Sequence, residues 1–225
     1  MIRVPKEDSA LRTPHSALED SAMEDSAIRN PQSAFKSLVV IGSSAGGINA
    51  LKEVLSGLPA GLPAAVIIVQ HLVRTRKTQL HLFLDRISPL RVMMAESDAI
   101  LESGTGYLAE PGKHLGIENG NLVLSCSKKV HYVRPSVDTL FISAARAYGS
   151  RVIGVIMSGS GQDGATGCLE IKAKGGVIIA QDEKTSQWFG MPGAAINTGI
   201  VDYVLNIKEI AGKIVELVKT KEIED

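Results

Sequence analysis

The chain has 225 residues, 44% of them hydrophobic, with 24 basic residues against 24 acidic ones. That length holds one substantial domain, or two small ones, around a sizeable core. A formal net charge of zero removes the electrostatic case for nucleic acid or an anionic membrane surface as partner.

The opening MIRVPKEDSALR has no apolar signal region, and no run approaches 18 apolar residues; neither secretion nor membrane insertion is expected. Cys126 and Cys168 lack C-x-x-C or metal-ligand spacing and read as buried thiols of a cytoplasmic protein. Residues 1–36 differ in texture from the rest of the chain: EDSALRTPHSAL recurs as EDSAIRNPQSAF, with EDSAM between them. This repeat is polar, broken by Pro14 and Pro31, and too poor in large apolar residues to offset chain entropy. It predicts a disordered arm over 1–36 ahead of a folded domain over 37–225.

From Ser37 the pattern is α/β. Taken in order, the apolar runs and their punctuation predict a strand over 38–41, a helix over 48–58, a strand over 64–70, a helix over 75–87 and a strand over 91–95. A hairpin comes next over 115–124, turning at Asn119-Gly120. Then come a helix over 136–148, a strand over 151–157, a helix over 165–174 and a strand over 176–181. A last helix starts near Asn206, where Asn206 and Glu209 have capping-box spacing. Short apolar strands alternating with helices imply a doubly wound α/β fold: a mostly parallel sheet, helices on both faces, and one antiparallel hairpin excursion within 101–133.

Two glycine-rich turns stand between a strand and a helix. Gly42-Ser43-Ser44-Ala45-Gly46 fits G-x-S-x-G, the sharp turn that lifts a serine above a sheet; Ser44 there is a nucleophile, or else only the cap of the helix. The second, Gly159-Ser160-Gly161-Gln162-Asp163-Gly164, fits G-x-G-x-x-G, and Asp182 lies roughly 20 residues further on, as in a dinucleotide-binding unit. Asp163 argues against that reading. A pyrophosphate against the same turn would face a like charge, repelled by about 4 kcal/mol at an effective dielectric near 20.

Ser44, His71 and Asp163 each follow a predicted strand directly, so all three fall on the carboxyl edge where open α/β sheets build sites. They are the parts of a nucleophilic triad, and the helix N-termini behind the two turns supply donors for an oxyanion. As a proton acceptor, His71 predicts activity that falls at acid pH. The chain order serine, histidine, aspartate differs from that of α/β-hydrolases. His15 lies in the arm and His81 in a helix; His114 and His131, near the hairpin, read as structural or exposed. Trp188, beside Phe189, reads as a loop anchor.

Five ordered blocks resemble the catalytic domain of the CheB-type chemotaxis protein-glutamate methylesterases: VIGSSAGG, VQH, RPSVDTLFISAA, MSGSGQDGATG and AQDEKTSQWFGMPGAAINTG. The resemblance spans 36–219. It implies a triad at Ser44, His71 and Asp163, with backbone N–H groups at Ser160 and Gly161 as oxyanion donors. It also implies hydrolysis of glutamyl methyl esters on chemotaxis receptors, deamidation of receptor glutamines in some members, and neither cofactor nor metal. Ala45 stands where the family often has threonine; Ser160 and Gln162 replace its usual methionine and asparagine. The family commonly carries an N-terminal receiver domain, which the polar repeat does not resemble. Turnover is therefore expected to be indifferent to acetyl phosphate, or to be controlled by a separate regulatory partner. Three other readings stand beside this one: a nucleotide- or anion-binding module on the 159–164 turn, a chemically silent partner-binding protein, and the same triad acting on another ester.

Overall fold

The computed structural model describes residues 35–72 and 78–223. The repeat up to residue 34, and the first residues of the helix expected over 75–87, lie outside the described residues. Strands are β1 (Ser37–Ser43), β2 (Ala64–Gln70), β3 (Arg91–Met94), β4 (Thr105–Leu108), β5 (His114–Glu118), β6 (Asn121–Ser125), β7 (Val152–Ile156), β8 (Val177–Gln181) and β9 (Tyr203–Leu205). Helices are α1 (Gly47–Ser56), α2 (Leu80–Ile87), α3 (Val137–Tyr148), α4 (Ala165–Ala173), α5 (Gly190–Ile196) and α6 (Ile207–Ile223).

Seven strands form one sheet in the order β3-β4-β2-β1-β7-β8-β9, and every neighbouring pair is parallel. Burial on both faces is what requires the near-continuous apolar runs of β1 and β2, whose residues are all buried. Successive side chains point to opposite faces. Leu38 and Val40 join a core closed by α3, α4, α5 and the β5–β6 hairpin; Val39 and Ile41 join another closed by α1, α2 and α6. The hairpin turns at Asn119 (φ 51°) and Gly120 (φ 81°), both left-handed as that short turn requires. At the start of α6, Asn206 N–H donates to the Glu209 carboxylate at 3.1 Å and Asn206 Oδ1 accepts from Lys208 N–H at 3.1 Å, a capping box.

Three expectations are corrected, and two elements are added. Thr105–Leu108 does not belong to an antiparallel excursion; it pairs in parallel with β2 and β3, leaving β5 and β6 as the antiparallel pair. Phe35, placed in the arm, is buried and stacks on Tyr148 with ring centroids 5.7 Å apart, so packing begins ahead of β1. Cys168 is buried but Cys126 is exposed. Helix α5 and edge strand β9 had no counterpart in the sequence pattern. Among the described residues no helix is long and apolar enough to cross a membrane.

Candidate active site

The sheet's switch point lies at β1, where β2 flanks it on one side and β7 on the other; crevices beyond such strand ends are where open sheets bind ligands. The β1–β2 register runs from Ser37 opposite Ala64 to Ser43 opposite Gln70, so Ser44 and His71 leave the sheet as neighbours. His71 N–H donates to Ser43 O at 3.0 Å. The Gln70 side chain accepts from Ser43 Oγ at 2.8 Å and donates to the carbonyls of Ser44 at 2.8 Å and His71 at 2.9 Å. One amide thus fixes both strand ends.

Ser44 N–H donates to Ser158 O at 3.0 Å, and Ser158 Oγ donates to Ala45 O at 2.8 Å, tying this turn to the one after β7. The helix-cap reading of Ser44 fails: α1 is capped by Gly46, at φ 74°, with no side-chain bond. Among the described residues the Ser44 hydroxyl has no hydrogen-bond partner. It shares with His71 the wall of an open cleft that Ile48, Asn49 and Leu72 also line.

Asp163 is buried, and its Oδ2 lies 2.9 Å from His71 Nε2. The carboxylate also accepts from Ser136 Oγ at 2.9 Å, Val137 N–H at 2.7 Å and Asp138 N–H at 3.2 Å. These donors are the N-cap and first turn of α3, where unsatisfied N–H groups and the helix dipole favour an anion. Burial alone would raise the Asp163 carboxyl. The His71 ring and the Val137 and Asp138 N–H groups outweigh it and hold the group below the ordinary carboxylate range. Asp163 is therefore a charged, immobile partner for the imidazole. Since it engages Nε2, Nδ1 is the ring nitrogen left to exchange a proton.

The second turn passes close to the serine: a Cβ on Gly159 would lie 2.9 Å from Ser44 Cβ. Ser160 and Gly161 are exposed, and among the described residues neither N–H donates a hydrogen bond. The dinucleotide reading of this turn fails on its helix. Asp138 Oδ1 accepts from Gly164 N–H at 3.0 Å and Gly167 N–H at 2.7 Å, so the N-terminus of α4 already holds a carboxylate of the protein. Asp182 is engaged in its own loop, accepting from Thr185 N–H at 2.9 Å. Burial, together with the Asp163 charge beside it, raises the Asp138 carboxyl.

Ser136, Asp138, Gln70 and Ser158 were not singled out from the sequence. A serine cap ahead of an acidic first turn was the available signal for a helix end facing an anion. His114 is structural: it is buried, bonded to Lys128 O at 3.0 Å, and lowered by burial. His131 is half exposed and sits 3.2 Å from Asp138 Oδ2. Trp188 anchors its loop through the backbone, its N–H donating to Ser158 Oγ at 3.0 Å, while its ring stays half exposed. Among the described residues no group of three or more His, Cys, Asp or Glu is placed to hold a metal ion.

Known proteins show the same arrangement of chain. A family model described as CheB methylesterase matches residues 39–214. A protein-glutamate methylesterase/protein-glutamine glutaminase of Pyrococcus horikoshii is 41% identical over 185 residues, covering 80% of this chain and 50% of its own. A protein of Anaeromyxobacter dehalogenans bearing that name with the suffix 2 is 44% identical over 182 residues, covering 81% and 53%. The crystal structure of the Thermotoga maritima CheB methylesterase catalytic domain superposes with a TM-score of 0.77 at 39% identity, covering 80% of this chain and 98% of that one. The chain spans about half the length of the curated relatives it matches. With the family model covering most of the folded region and a catalytic-domain structure matched almost end to end, this chain belongs to the CheB methylesterase family.

Proposed function

We propose that the chain is a serine esterase that removes methyl groups from glutamyl side chains of chemotaxis receptors. Ser44 Oγ attacks the ester carbonyl while His71 Nδ1 takes its proton; Asp163 fixes the ring and stabilises the imidazolium. The tetrahedral oxyanion is received by the Ser160 and Gly161 N–H groups. His71 then protonates the departing methoxide, methanol leaves, and water attacking the glutamyl-enzyme through the same base restores Ser44 and frees the carboxylate. The acyl-enzyme forms equally from a glutamine amide with loss of ammonia, in line with the glutaminase half of the relatives' names. Receptors as substrate and the cytoplasm as site of action belong to this reading.

The observation that carries it is the pairing of His71 with the buried Asp163 at 2.9 Å, set in register beside Ser44. The decisive experiment is methanol release from methylated receptor. Ser44→Ala should lower turnover by about a million-fold, as loss of a triad serine does. A variant retaining a tenth of the activity would remove Ser44 from the chemistry.

A further inference from the structure

A second recess, which the chemistry does not use, adjoins the cleft and shares His71 and Leu72 with it. Val130 and Val133 close a two-residue turn, Val133 N–H donating to Val130 O at 2.9 Å and Val130 N–H to Val133 O at 3.2 Å. Its central residues are His131 at φ 47° and Tyr132 at φ 65°. Turns of this geometry normally use Asn-Gly; two side-chain-bearing residues there are strained, and such strain collects at ligand clamps. His131 Nε2 lies 3.2 Å from Oδ2 of the buried Asp138, which sets the turn beside the helix start that holds Asp163. Tyr132, by contrast, is 93% exposed, a whole aromatic ring offered to solvent.

Between this turn and His71 lies a recess of about 230 Å³ whose walls include Lys129, Tyr132 and Arg134. Arg134 Nη1 donates to the carbonyls of Cys126 and Ser127, but its buried Nε has no acceptor among the described residues. Lys128 and Lys129 are exposed, and among the described residues no ion pair engages either. Among the described residues, Asp138 and Asp163 are buried, and Glu110 pairs with Lys113 at 2.8 Å. A chain of zero net charge therefore presents a cationic, aromatic rim beside its imidazole.

We propose that the 130–133 turn and this recess form the docking subsite for an acidic segment of the polypeptide substrate, a proposal that rests on the esterase reading above. A polypeptide whose reactive residues are methylated glutamates carries free carboxylates wherever it is not esterified. Laid across the rim, it places one glutamyl ester at Ser44. Its free carboxylates then meet the exposed Lys128 and Lys129, and Tyr132 packs on the apolar stems between them.

The test compares kcat/KM on a methylated receptor helix fragment with that on a small ester, the γ-methyl ester of N-acetylglutamate amide. It uses wild type, Tyr132→Ala, Tyr132→Phe and a Lys128→Ala/Lys129→Ala double variant. The alanine variants should lose roughly tenfold or more on the helix relative to any change on the small ester, chiefly through KM, and Tyr132→Phe should keep most of the wild-type value. Raising salt should weaken wild type on the helix more than the double variant, because exposed charges are screened. Equal losses on both substrates, or no loss on the helix, would overturn the subsite while leaving the esterase in place. Wild type inactive on both would instead sink the esterase reading, and the subsite with it.

Discussion

Asp163 shows at the level of one side chain how a buried charge is made useful. Its oxygens receive donors from His71, Ser136, Val137 and Asp138, so the anion is stabilised by groups that do not reorganise. Its folded pKa lies below the unfolded one. The stabilisation is therefore complete above the unfolded value, about 4, and is lost as pH falls through the folded value. Urea midpoints of wild type should decline on acidification below about pH 4, and Asp163→Asn should flatten that decline while lowering kcat by roughly 10⁴ through the wrong imidazole tautomer. A variant with the wild-type acid profile would show that the carboxylate is not the titrating group. Position 163 was legible from its place after a strand; that four donors would converge on it was not, because three come from a helix start more than 20 residues away in the chain.

At the level of elements, the site depends on how closely α3 approaches the end of β1. A Cβ on Gly42 would stand 2.4 Å from Val137 Cγ1, and Val137 N–H is a donor to Asp163. Glycine is needed at 42 for the contact with α3 as much as for the turn. Gly42→Ala should cost about 1–3 kcal/mol as overpacking and, by displacing the helix start, reduce kcat at least tenfold beyond what the fall in melting temperature explains. Calorimetry and methanol release measured on the same sample check this; a stable variant with normal kcat would contradict it. The strongly apolar strands and amphipathic helices were readable from periodicity. Helix α5, with the sequence GMPGAAI, was not, since glycine and proline oppose helix by propensity and its buried Met191 and Ala195 hold it by packing. Three-residue β9 likewise has meaning only as a partner for β8.

For the molecule as a whole, the parallel sheet brings residues 44, 71 and 163 to one rim by threading β1 between β2 and β7. The packed body also reaches back to Phe35, whose ring lies on Tyr148 while the Arg151 guanidinium covers that tyrosine at 5.0 Å. Phe35→Ala should cost about 3 kcal/mol and lower the melting temperature by roughly 10 °C with kcat unaltered. A shift below about 2 °C would return Phe35 to the arm.

The sequence by itself determined the alternation of strand and helix, the parallel character of the sheet, and which three side chains stand at strand ends, because hydrophobic period and glycine punctuation are local properties. It left two readings open at each glycine-rich turn, since a turn that frees N–H groups suits a phosphate, a nucleophile or nothing. Tertiary structure removed one reading at each turn. It set Gly46, not Ser44, as the cap of α1, and filled the N-terminus of α4 with Asp138 and that of α3 with Asp163. Which donors meet which acceptors is settled by segments distant in sequence packing on one sheet, and no local pattern records that pairing.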